Sequence, residues 1–248
     1  MGFFTTREAG WHSPNLNRTI GMLAYGGFGR PIILFPPAGQ SAADVEQAGF
    51  IDALYEPINA GLFKLYVLDS PDAGSWLATH KALKARLQHQ IAWDHALVEE
   101  VLAHVRHDCR SADIRPLLAG IGLGGFHAIN TLGRYPAHFR GAATVSGRFD
   151  VRQFLPANAS EQSGDLYFHN PITYLPNLDD AVFLPALQRR SLIHLSARPG
   201  EAAETENLAA ILRQRSIPHI LELHHEPDPQ LLLDGLLSLE QGVAAAVA

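Results

Sequence analysis

The residues best placed to do chemistry are Gly120-Ile121-Gly122-Leu123-Gly124-Gly125, and they fit two motifs at once. Gly120, Gly122 and Gly125 spell G-x-G-x-x-G, the turn that lets a pyrophosphate approach backbone N–H groups. Gly120 and Gly124 also bracket the centre of a nucleophile elbow, G-x-S-x-G, in which a strained turn holds a serine above a sheet. The central position here is Gly122, which has no side chain to attack a carbonyl. The dinucleotide motif calls for an acidic residue about 20 positions on, at the end of a second strand. Asp150 stands near that distance but follows Ser146-Gly147, beyond the strand.

Other reactive side chains are scattered. His80, His89, His95, His104 and His107 include an i, i+3 pair, but no carboxylate or cysteine pattern completes a zinc site, so these histidines read as a solvated face and no metal is expected. Cys109 is the single cysteine, which rules out an internal disulfide and reads as a loop or helix-end thiol. Ser41 and Ser146 read as capping or turn hydroxyls. Glu201, Glu204 and Glu206 read as a solvated loop or helix start, and His224 and His225 as strand-end residues in a turn.

The elements that position these residues follow from punctuation and periodicity. Glu8–His12 and Arg18–Tyr25 read as strands around the turn S-P-N-L-N. Pro31–Phe35 and Gly141–Ser146 are short apolar runs of the kind buried on both faces of a sheet, Leu117–Ala119 is another short apolar run, and Phe63–Leu68, Ser191–Leu195 and Pro218–His224 read as further strands. Between them, helical spacing covers Ala43–Ile58, Lys81–His107, the stretch from the glycine corner to Tyr135, Glu204–Arg215 and Leu231–Val247. In Lys81–His107, Leu83, Leu87, Ile91, Leu97, Val101 and Val105 form the apolar stripe, and Lys84, Arg86, Glu99 and Glu100 fall on other faces. Residues 151–190 read as an irregular excursion between strands. Alternation of strand and helix from residue 31 onward predicts one α/β domain over residues 1–248, a mostly parallel doubly wound sheet with an antiparallel N-terminal strand pair.

Composition narrows the partners. The chain has 248 residues, is 47% hydrophobic and 18% charged, and carries a net charge of −6. That is a globular chain with a large core and no broad basic face for nucleic acid or anionic lipid. The N-terminus lacks a signal-peptide core, and no run of about 20 apolar residues spans a membrane, so a cytoplasmic protein without membrane association is expected. The sequence does not set the oligomeric state.

Read in order, several blocks resemble the esterase group of α/β-hydrolases, relatives of S-formylglutathione hydrolase, siderophore esterases and mycolyltransferases. The carrying blocks are Trp11–Arg18, Gly29–Pro36, Tyr66–Trp76, Gly120–His127, Gly133–Pro136, Val145–Asp150 and Phe168–Pro176. The resemblance implies an α/β-hydrolase fold, and a serine at the elbow, an acid after the penultimate strand and a histidine after the last. Those positions fall at Gly122, near Pro199 and near Gln230, none of which supports the roles. His224, His225 and Glu201 are the candidate substitutes. The oxyanion-hole donors of the group would be the N–H groups of Leu123 and, at about this position, Ala38, beside Gly39; Ala38, Gly39, Gly122 and Leu123 are therefore the expected ligand contacts. The leading expectation is a hydrolase-fold protein without the Ser/Asp/His triad, binding a small acyl or anionic ligand or a protein partner with no cofactor. The alternatives are a carboxylic-ester hydrolase or acyltransferase with a rearranged site, and a dinucleotide-binding protein.

Overall fold

The computed structural model describes residues 2–156 and 164–247, and residues 157–163 of the expected excursion lie outside that set. Eight strands form one sheet: β1 (Thr6–Ser13), β2 (Arg18–Tyr25), β3 (Arg30–Phe35), β4 (Phe63–Leu68), β5 (Leu117–Ile121), β6 (Gly141–Val145), β7 (Leu192–Ala197) and β8 (His219–Leu223). Their order is β1-β2-β4-β3-β5-β6-β7-β8. β1 and β2 pair antiparallel around the predicted turn, where Asn17 takes φ 49°. β2 pairs antiparallel with β4, and every other pairing is parallel. β3 to β6 are apolar because both faces are covered.

Alternate residues of these strands feed two cores. Ile33, Phe35, Leu118, Ala142 and Ile193 pack on one face against α4 (Leu83–Ala96), α5 (Leu102–Asp108), α6 (Leu123–Arg134) and α10 (Ala203–Gln214). Ile32, Leu34, Ala119 and Ala143 pack on the other against α1 (Ala42–Gln47), α2 (Phe50–Ala53), α3 (Tyr55–Asn59) and α11 (Asp228–Val247). The remaining short helices are α7 (Gly164–Phe168), α8 (Pro171–Tyr174) and α9 (Phe183–Arg190), all in the excursion between β6 and β7.

Several helices depart from the sequence expectation. The segment read as one helix over 43–58 is three, because Gly49 turns left-handed with φ 83° and ends the first. The helix expected from Lys81 begins at Leu83 and is interrupted by a π-turn at Leu97–Val101. The extra residue of that turn falls after Leu97, within the apolar stripe itself. Arg86 is not on an outer face. It is 1% exposed and donates to the Ser75 and Phe154 carbonyls, each at 2.9 Å, and to that of Trp76, so it pins the excursion to the loop after β4. Glu100 is half-buried and accepts from Trp11, Ser13 and Asn15, which ties the β1–β2 hairpin to this helix. Of the five histidines read as solvated, His104 stacks on Trp11 at 5.4 Å and His89 is half-buried, with burial lowering the basicity of both.

Candidate functional site at the strand-to-helix elbow

β5 delivers the chain to Gly122 and α6 begins at the next residue. Gly122 has φ 56° and ψ −120°, a conformation an L side chain rarely adopts. Its two flanking glycines are there for contact: a Cβ at Gly120 would overlap the Gly124 carbonyl, and one at Gly124 would overlap the carbonyl oxygens of Phe35 and Pro36. Backbone bonds fix the turn, from Gly122 N–H to Val145 O (3.0 Å), Gly125 N–H to Gly122 O (3.0 Å) and Arg148 N–H to Gly122 O (2.9 Å). The geometry is thus that of a nucleophile elbow. At Gly122 itself a Cβ would meet nothing within 4 Å.

That open space belongs to a cavity of 420 Å³ over the carboxyl ends of β5, β6 and β7, the edge where open parallel sheets place ligands. Gly122, Ser146, Arg148, Arg198, Glu201 and Asp228 are among its lining residues. The charges on its wall are paired with one another. Arg148 meets Glu204 at 3.5 Å, and Arg198 meets Glu201 at 3.0 Å and Asp228 at 3.5 Å. The Ser146 hydroxyl and Arg198 hold the Glu201 carboxyl below its ordinary range. Burial pushes the Asp228 carboxyl up despite Arg198, and Glu201 adds to the rise. Ser146, directly after β6, takes φ 47°, a left-handed conformation unusual outside glycine. Among the described residues none lining this cavity is a histidine, and none comes from 151–190.

The residues named from sequence separate here. Gly122 and Glu201 line the cavity. Pro199 opens a 3-10 turn, and its neighbours Arg198 and Gly200 face the cavity instead. Gln230 lies on the first turn of α11 and donates to Asp234 at 2.8 Å; Asp228, two residues earlier, is the cavity residue from this segment. His224 and His225 are exposed, and His224 sits between Glu222 (3.6 Å) and Glu226 (3.7 Å). Ser41 caps α1 with a reciprocal Asp44 capping box, as its type suggested. Glu204 is not simply solvated: it accepts from the N–H groups of Phe149 (2.7 Å) and Asp150 (3.0 Å) and holds the turn after β6. Asp150 caps a 3-10 turn and pairs with Arg152, five residues past the end of β6, so it is not at a strand end as a ribose-binding acid requires.

The backbone donors fare unequally. Leu123 N–H opens α6 and has no hydrogen-bond partner among the described residues, and the same holds for Ala38 N–H. Gly39 N–H is used internally, donating to Ser70 Oγ at 3.0 Å. Ser70 in turn donates to Asp72 Oδ2 at 2.6 Å, and Asp72 Oδ1 lies 3.0 Å from His127 Nε2 on α6. This buried chain was not anticipated from sequence, since D-S-P-D reads as a turn. It holds a serine, an acid and a histidine, but the carboxylate stands between the other two. The serine proton points to the carboxylate and not to the imidazole, so the set is a strut that braces the Pro36–Gln40 loop against α6.

Residues 69–219 match the sequence pattern of the family described as Putative esterase. No curated protein sequence matches the chain. Solved structures of similar shape include a ferulic acid esterase, at TM-score 0.73 and 11% identity over 99% of this chain and 100% of that one. An S-formylglutathione hydrolase from Agrobacterium tumefaciens superposes at TM-score 0.67 and 11% identity, over 98% and 95% of the two chains. The ferric enterobactin esterase of Salmonella typhimurium superposes at TM-score 0.60 and 20% identity, over 96% of this chain and 59% of that one. At these identities the structural likeness speaks for the fold, which is that of the α/β-hydrolases, and the sequence pattern speaks for descent: the chain belongs to the Putative esterase family.

Proposed function

We propose that this chain is a non-catalytic member of its family that binds a small acyl compound in the cavity over Gly122. The observation that carries the reading is the elbow with an open centre, where Gly122 keeps the strained geometry of a nucleophile while leaving room for ligand atoms. Acyl transfer at such a site needs a nucleophile and a base within hydrogen-bond reach of it. Ser146 is the hydroxyl on the cavity wall and no imidazole faces it among the described residues, which favours binding over turnover. Leu123 and Ala38 directly follow the cavity residues Gly122 and Pro37, their unpaired N–H groups suit a carbonyl oxygen, and the former opens a helix whose dipole favours negative charge. A carbonyl compound is favoured over a free anion because Glu201, Glu204 and Asp228 outnumber Arg148 and Arg198 on the wall.

The test is a pair of measurements on the purified chain. Short-chain p-nitrophenyl esters should show no turnover above buffer, while non-hydrolysable amide analogues should protect Leu123 and Gly124 N–H signals in nuclear magnetic resonance titrations. Turnover with a base-dependent pH profile would favour the second reading, an ester hydrolase or acyltransferase with a rearranged site built on Ser146 and Glu201.

A further inference from the structure

A second cavity, of 610 Å³, lies at the opposite edge of the sheet, where the parallel strands begin. Arg30 opens β3, Arg115 precedes β5 by two residues, Arg140 directly precedes β6, and Arg190 and Ser191 directly precede β7. All of these line the cavity, together with Arg189 and one acid, Asp113. We propose that this cavity binds an anion bearing two or more phosphate groups.

The charge balance points that way. Arg30 is committed to a two-pronged ion pair with Glu240, one bond of which is 2.9 Å. Arg115 donates to the Pro136 carbonyl at 3.1 Å and to that of Phe139, and its Nε is buried without a partner. The guanidinium groups of Arg140, Arg189 and Arg190 have no ion pair or hydrogen bond among the described residues. Five arginines against Asp113 and Glu240 leave a positive cavity on a chain whose net charge is −6. Burial and then the neighbouring Arg190 and Arg140 lower the basicity of Arg115, and burial and then Arg30 lower that of Arg140 against the attraction of Glu240, so the like charges repel one another. Such a cluster is destabilising until an anion occupies it.

A buried hydroxyl marks the same spot. Ser191 is 6% exposed, lines the cavity, and its Oγ has no hydrogen-bond partner. A buried hydroxyl left unpaired costs about 1–3 kcal/mol, and a phosphate oxygen would satisfy it. Guanidinium forks match phosphate oxygens two at a time, whereas a single carboxylate would neutralise one of the three uncommitted arginines. The volume falls within the range of small-ligand sites, about 300–1,000 Å³, and admits more than one phosphate.

Calorimetric titration of the whole chain with inorganic pyrophosphate in metal-free buffer tests the proposal. Saturable binding is expected, at least tenfold tighter than that of acetate and weakened by added salt. Arg140→Gln and Arg190→Gln should each weaken it at least tenfold, and Ser191→Ala about threefold. Arg189 and Arg190 are exposed, so the pair Arg189→Gln/Arg190→Gln keeps the fold intact if Arg140→Gln does not, as circular dichroism will report. A parallel titration with adenosine diphosphate separates a nucleotide, which binds more tightly than pyrophosphate, from the free anion, which does not; either supports the site. Absence of saturable pyrophosphate binding by the folded chain, or unchanged affinity in the folded arginine variants, overturns it.

Discussion

Replacing Gly122 by serine writes back the atom group that the elbow lacks, and the geometry sets what this should do. The new Cβ meets nothing within 4 Å, so no steric penalty arises. The cost is conformational: φ 56° and ψ −120° strain an L residue by about 1–3 kcal/mol. Loss of glycine's freedom in the unfolded chain returns about 0.5 kcal/mol. A net loss of about 1–2 kcal/mol corresponds to a Tm fall of roughly 2–8 °C for a chain of this size. By contrast Gly124→Ala drives a methyl into the Phe35 and Pro36 carbonyls and should cost more than about 3 kcal/mol or prevent folding. Differential scanning calorimetry measures both. On the non-catalytic reading, activity should not accompany the serine, because no histidine lines this cavity among the described residues and a hydroxyl without a base is a weak nucleophile at neutral pH. An aggregated Gly122→Ser protein would refute the open elbow, and rapid hydrolysis of p-nitrophenyl acetate by it would refute the proposal that the site is non-catalytic.

Two charge substitutions probe how the sheet ends are held. Burial raises the Asp228 carboxyl, so the folded protein binds this proton more tightly than the unfolded chain, and stability is lost as pH rises above the unfolded value, near 4. Asp228→Asn should therefore raise Tm at pH 7, with the gain vanishing below about pH 4; thermal melts across that range check it. Asp108 behaves oppositely. It accepts from Arg7 (2.8 and 2.9 Å), Lys64 (2.8 Å) and Tyr66 (2.7 Å), and Arg7 first among these holds its carboxyl well below the usual range. Its contribution is present above the unfolded pKa and lost as pH falls through the folded one. Asp108→Asn should cost about 3 kcal/mol at pH 7 by urea denaturation, and less in acid.

The sheet was legible because its central strands are short apolar runs and several of its strands stop at Gly or Pro, as at Gly26, Pro36 and Gly122, so the eight predicted strands match the observed ones to within two residues. Helical spacing was less reliable, since a period of 3.6 says nothing of a left-handed glycine such as Gly49 or of a π-turn that shifts the stripe. Arg86 looked like a surface residue because nothing local reveals that three carbonyls from distant loops converge on it. Gly122 could be placed because its motif has no gaps. The positions near Pro199 and Gln230 were counted along irregular loops, and the chain presents Arg198, Glu201 and Asp228 to the cavity from those stretches. The arginines around Ser191 are dispersed over 160 residues of sequence, from Arg30 to Arg190, and only the sheet order brings them together.

The most direct measurement is intact-mass spectrometry of the purified wild-type chain after prolonged exposure to a fluorophosphonate probe. An unchanged mass is expected, because the elbow offers hydrogen where an activated hydroxyl would stand. A single covalent adduct mapped to Ser146 or another cavity residue would contradict the account.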